Sequence, residues 1–264
     1  MNTAWTPHQA DAVSGVVDKP IVVGVDGSRA ALNAVKWAVA EAVYRDVPLR
    51  LVHAVPTGPA AKRGDVSCTD PAVASAEAEV TRGGKAVRFE SAQIGGDAGE
   101  VLVAESGESL MVCVGIPGRD RLAGRLFGPT AAALAARARC PVALIRCDPA
   151  GSPGEAGVVS VVLDDDPDND SVVHLAMQEG RLRDATVLQV DRRRDSWIRR
   201  FPDVHVETVA AGSGRHCVAS HHDHQGVQLA VVGQADADRI TELEVPNCHP
   251  IVGYPDCSVL LVRH

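Results

Sequence analysis

MVCVGIPGRDRLAGRLFGPTAAALAARARCPVALIR, residues 111–146, is the stretch on which the reading of the fold turns. Residues 111–114 form a short apolar run, the pattern of a strand buried on both faces. The run stops at Gly115. A polar loop containing Gly118, Gly124 and Gly128 follows, then an alanine-rich helix at 130–139 and a second buried strand at 141–145. A strand that feeds a glycine-rich loop opening into a helix is suited to phosphate. Glycines let the backbone come close, and the free N–H groups of the first helical turn point at the anion. The spacing is Gly115-x2-Gly118-x9-Gly128, which is neither a Walker loop nor the dinucleotide GxGxxG. Pro129 follows directly. It fits the first helical position but has no N–H to offer a phosphate.

Upstream, residues 20–25 predict a buried strand ending at Asp26-Gly27-Ser28, where Asp26 or Ser28 caps the next helix. That helix, 29–45, carries Ala31, Ala34, Val35, Ala38 and Ala42 at spacings of three and four. A strand at 49–55, a loop rich in Pro, Gly, Ala and Ser at 56–70, and a helix at 71–81 stopped by Gly83-Gly84 come next. A strand at 86–94 and a helix at 98–106 complete the alternation. Strands alternating with helices in this way predict an open, parallel, doubly wound α/β sheet of five strands.

Residues 148–157 read as a linker, after which the pattern restarts. Displaced by 138 residues, Asp26 falls on Asp164, Val35 on Val173, Ala38 on Ala176, Glu41 on Glu179, Arg45 on Arg183 and Asp46 on Asp184. Strands are expected at 158–163, 185–190, 204–209, 228–232 and 259–262, with a short charged helix at 191–201. The glycine pattern is lost in this half. Gly233 survives, but Asp236, Asp238, Glu242 and Glu244 make the following segment acidic, which repels phosphate. The organisation expected is a tail at 1–19, a nucleotide-binding domain at 20–147, a linker at 148–157 and a degenerate second domain at 158–264.

Composition narrows the function. Hydrophobic residues make up 45% of 264 and aromatics only 3%, so the core is aliphatic, as suits covered parallel sheets. A net charge of −8 argues against nucleic acid and anionic membranes. No apolar run approaches the ~18 residues of a membrane span, and the N-terminus has no signal-like core, so a cytoplasmic protein is expected. None of the seven cysteines forms CxxC, and Cys113 and Cys140 read as small core residues.

The glycine spacing and the Cys140-Pro141-Val142 that follows it resemble the universal stress protein family. Both halves share the resemblance, which is sharper in the first. It implies two tandem doubly wound, open, parallel five-stranded sheets of the adenine-nucleotide-hydrolase-like type, the second copy degenerate. By resemblance, ATP binds in the first half, with AMP or cAMP as alternatives and magnesium accompanying the phosphates. Val25 and Asp26 would meet adenosine, and Ala54, after His53, would line the adenine pocket through its backbone. Val114 and Gly115 would contact the base, and Gly118, Arg119, Gly128 and Thr130 the phosphates. Arg121 and Arg125 add positive charge. Pro129 stands where ATP-binding members carry Ser or Thr.

The family's domains associate through their last strands, so a homodimer or an intrachain pseudodimer is expected, with 142–145 and 259–262 pairing. The function implied is that of a stress-response regulator or sensor and not an enzyme, since no nucleophile–base pair is evident. The alternative is a nucleotide-free scaffold of the same fold. His216, Cys217, His221, His222 and His224 match no zinc pattern, and 164–170 lacks the turn Gly and final Glu of a calcium loop, so no metal site is expected. Trp37 and Trp197 read as packing residues.

Overall fold

The side chains of β1 (Ile21–Gly24) alternate between two covered faces, Ile21 and Val23 toward one core and Val22 toward the other. The structure, a computed structural model, describes residues 19–57, 70–117, 127–146, 158–163, 169–191, 203–210, 227–234 and 257–263. β1 leads into α1 (Arg29–Arg45), whose N-cap Ser28 accepts a hydrogen bond from the Ala31 N–H at 3.1 Å. Left-handed Asp46 ends α1, with φ 53°. β2 (Leu49–Val55), α2 (Pro71–Arg82), β3 (Phe89–Gly95), α3 (Ala98–Glu105) and β4 (Met111–Ile116) follow, then α4 (Pro129–Arg137) and β5 (Val142–Arg146). Downstream come β6 (Val158–Leu163), α5 (Asn169–Arg183), β7 (Val187–Asp191), β8 (Val206–Ala210), β9 (Val227–Val232) and β10 (Ser258–Leu261).

The ten strands form one sheet in the order β3-β2-β1-β4-β5-β10-β9-β6-β7-β8. Every neighbouring pair is parallel except β5 and β10, which run antiparallel with Val142 opposite Leu261, Ala143 opposite Leu260 and Leu144 opposite Val259. The two apolar last strands therefore cover each other within one chain, removing two edges that would otherwise be open. α1, α2 and α5 contribute to the core on one face, α3 and α4 to that on the other, and each core crosses the β5–β10 seam without a break. Among the described residues no helix is long and apolar enough to cross a membrane.

Several boundaries differ from the sequence expectation for reasons of pairing. β4 runs on through Gly115 to Ile116 because β5 pairs with it as far as Ile116 opposite Arg146. β3 starts at Phe89 rather than 86, set by Phe89 lying opposite Leu49 on β2. α4 begins at Pro129, one residue early, and stops at Arg137, because Ala138 is already extended. β7 starts two residues late and takes in Asp191, so no helix begins there. The rest of that expected helix, the linker, the histidine-rich segment, Trp197 and residues 164–168 lie outside the described residues. Cys113 and Cys140 are buried, and burial pushes the Cys140 thiol up to about 12, so it stays protonated.

The two halves meet through an ion quartet whose carboxylates are buried and whose arginines are partly exposed. Glu41 and Glu179, set 138 apart in the sequence, are both fully buried between α1 and α5. Arg45 lies 3.1 Å from Glu41 and 3.0 Å from Glu179, Arg183 lies 2.8 Å from Glu41, and Arg183 also pairs with Glu179. Arg183 stacks over the Trp37 ring at 4.9 Å, which makes Trp37 a packing residue. Asp46 and Asp184, one residue past each arginine, adopt the same left-handed turn.

Burial, with Glu41 beside it and against the pull of Arg183 and Arg45, pushes the Glu179 carboxyl up from 4.5 to about 8. The folded chain then holds this proton at pH values where the unfolded chain has lost it. Stability from this group is complete below 4.5 and falls as pH rises toward 8. Urea midpoints measured from pH 5 to 8 should fall more steeply for the wild type than for Glu179→Gln, which has no proton to lose.

Candidate functional site

The strand order reverses between β1 and β4, and this is where open α/β sheets leave a crevice beyond the carboxyl ends of their strands. A cavity of about 350 Å³ opens there. Val25 and Asp26 enter it from the end of β1, Ala54 from β2, and Val114 and Gly115 from β4. Gly128 and Thr130 enter from the start of α4. Seven of the nine residues singled out in the sequence thus line one space. Gly118 and Arg119 lie outside the described residues, as do Arg121 and Arg125. Ala98 and Leu102 of α3 also line the cavity. Sequence reasoning missed them because their apolar spacing reads as core, and only the direction of α3 turns them toward the crevice.

Close backbone approach shapes the cavity. A Cβ on Gly115 would sit 2.1 Å from the carbonyl carbon and oxygen of Ala30, so the start of α1 rests directly on β4. A Cβ on Gly24 would fall 2.7 Å from Leu102 Cδ1. Gly128 is different, with nothing among the described residues within 4 Å of its would-be Cβ. It serves as N-cap of α4, and among the described residues no side chain caps that end.

The helices around the crevice differ at their N-termini. Ser28 caps α1, and Asp97 caps α3 by accepting from the Gly99 and Glu100 N–H groups at 2.9 and 3.2 Å. In α4 the first intrahelical bond runs from Ala132 N to Gly128 O at 3.0 Å. That leaves the N–H groups of Thr130 and Ala131 without an intrahelical acceptor, while Pro129 has none to give. The positive end of the α4 dipole therefore faces the cavity with two donors.

Asp26 Oδ1 accepts from the Ser28 N–H at 2.9 Å, a tight turn that leaves Oδ2 without a donor among the described residues. Ser28, not Asp26, is the helix cap. Behind the wall, His53 Nδ1 is 2.6 Å from the Val25 carbonyl, and since a carbonyl only accepts, Nδ1 carries the hydrogen. Its Nε2 lies 3.5 Å from Asp70 Oδ2, the carboxylate that caps α2. His53 is thus a strut holding the end of β1.

The fold and crevice define the class: an open, doubly wound α/β protein with an anion-compatible pocket at its switch point. The sequence pattern of the universal stress protein family matches residues 19–146. The chain is 36% identical to universal stress protein Rv2624c of Mycobacterium tuberculosis, an alignment covering 93% of this chain and 96% of that one. It is 33% identical to universal stress protein Rv3134c of the same organism, again covering 93% and 96%. The chain belongs to the universal stress protein family. The crystal structure of a universal stress protein from Archaeoglobus fulgidus shares the fold, with a TM-score of 0.63 over 94% of this chain and 97% of that one at 10% identity.

Proposed function

We propose that the crevice binds an adenine nucleotide, ATP in the first place, and that the chain serves as a nucleotide-dependent regulator or sensor in the stress response. The observation that carries this reading is the uncapped start of α4, with two donors, opening into a largely apolar cavity that has the Asp26 carboxylate at its margin. The walls from Val52, Val114 and Leu102 suit a flat base, and Asp26 Oδ2 suits a ribose hydroxyl. Phosphates belong at Thr130 and Ala131. Any magnesium arrives with the phosphates, because among the described residues no three His, Cys, Asp or Glu converge. Asp26 and Thr130 are the only polar side chains on the described cavity wall and make no nucleophile–base pair. The reading is therefore of a binding protein, not a catalyst, working in the cytoplasm. The first half holds the nucleotide. The second is a non-binding copy, docked through β10 as an internal partner.

Calorimetry on the full chain with ATP, AMP and cAMP tests this. Asp26→Asn should weaken all three ligands. Pro129→Ser restores a backbone donor and adds a hydroxyl, and a hydrogen bond to a charged group is worth about 1.5–3 kcal/mol. ATP affinity should therefore rise about ten-fold or more. Silence for all three ligands in both the wild type and Pro129→Ser, with no nucleotide released on denaturation, would leave the alternative of a scaffold without ligand.

A further inference from the structure

A second cavity, of about 260 Å³, lies at the seam between the two halves on the α1 and α5 face of the sheet. Its apolar surfaces come from Trp37, Ile145, Leu182 and Leu229, and its cationic ones from Lys36, Lys85 and Arg183. Lys36 is 3.8 Å from Glu79, and Lys85 is exposed with no ion pair among the described residues. The cavity exists because the quartet is not symmetric. On one side Arg45 donates to Glu41, to Glu179 and, at 2.6 Å, to the Gln178 side chain. The residue 138 positions before Gln178 is Ala40, which lines the cavity. Ala40 has no acceptor to offer, so Arg183 binds Glu41 and Glu179 and has no third acceptor among the described residues. Where Gln178 fills one side of the pair, the other side is open and basic, bordered by the Trp37 ring that Arg183 covers.

We propose that this seam cavity is a binding site for a small organic anion with a flat apolar body. Three cations face the cavity: Arg183 is shared with the quartet carboxylates, Lys36 lies at the longer distance of 3.8 Å from Glu79, and Lys85 has no ion pair among the described residues. The volume is below the usual range of about 300–1,000 Å³ for drug-sized ligands, which favours one or two fused rings over a nucleotide. The ring would lie in the apolar lining from Trp37, Ile145, Leu182 and Leu229, with its carboxylate toward Lys85 and Lys36. Both halves build the site, so its ligand binds only while the halves are docked. The site is independent of the nucleotide crevice.

The probes are 2-naphthoate and its uncharged analogue 2-naphthamide, titrated into the full chain by calorimetry. One naphthoate should bind per chain, about ten-fold more tightly than the amide. Ala40→Gln, which copies Gln178 into the cavity at little cost to a helix, should weaken naphthoate about ten-fold or more with an unchanged urea midpoint. Lys36→Gln with Lys85→Gln should bring acid and amide to nearly equal affinity. Saturating ATP should leave naphthoate binding as it was. Equal affinity of acid and amide for the wild type, undiminished binding by Ala40→Gln, or displacement of naphthoate by ATP would each overturn the assignment.

Discussion

Gly115→Ala should be the most damaging single-methyl change in the first half, lowering stability by about 3 kcal/mol, the upper part of the range for overpacking. The new Cβ would lie 2.1 Å from the Ala30 carbonyl and 2.5 Å from the Ala31 nitrogen, and these are backbone atoms that cannot swing aside. α1 must lift from β4, and Ala31 and Asp26 move with it, both on the cavity wall. Nucleotide affinity should fall along with the urea midpoint. Gly128→Ala is the control. Among the described residues its Cβ meets nothing within 4 Å and its φ is −75°, so its loss should be only that of a less favoured N-cap residue, about 1 kcal/mol. The two glycines belong to one motif, yet the first is required by packing and the second is a helix cap that leaves room beside it. Equal midpoints for the two variants would refute this division.

Glu41→Leu should cost about 3–5 kcal/mol, the usual loss when one partner of a buried ion pair is removed. Glu41 holds Arg45 at 3.1 Å and Arg183 at 2.8 Å, and without it two partly buried guanidinium groups are left with Glu179 as their one carboxylate among the described residues. Burial already raises the Glu179 carboxyl to about 8, so that group alone is a poor counter-ion at neutral pH. The combination Glu41→Leu with Arg183→Met leaves one acid and one base, and should recover a large part of the loss. A double-mutant cycle on urea midpoints measures the coupling directly. Additive losses would show that the quartet does not act as a unit. Because the quartet joins α1 to α5, the single variant should also expose the β5–β10 seam, read as faster amide exchange at Ala143 and Leu260.

The elements whose signals are local were legible without coordinates. α1 and β2 follow the expected bounds because helical spacing, the Ser28 cap and the Asp46 stop all lie within one short segment. The crevice was legible through the glycine spacing, since a motif that brings backbone to an anion constrains residue type along the chain. Where strand ends were misplaced, as at β3 and β4, the deciding information was the register of a neighbour, Leu49 for Phe89 and Arg146 for Ile116. Trp37 was read correctly as a packing residue, but its partner Arg183 lies far along the chain and could not be read from its surroundings in sequence.

By itself the sequence determined the alternation of elements, the displacement by 138 residues and the chemistry gathered at the switch point, because periodicity, caps and glycines act over a few residues. Only the tertiary structure decided that β5 and β10 close on each other inside one chain. It alone also showed that Glu41, Arg45, Glu179 and Arg183 meet across the two halves and that Ala40 lines a cavity with Lys36, Lys85 and Arg183. Those outcomes depend on side chains more than a hundred residues apart meeting out of water, where charge must find its opposite and no local pattern records the meeting.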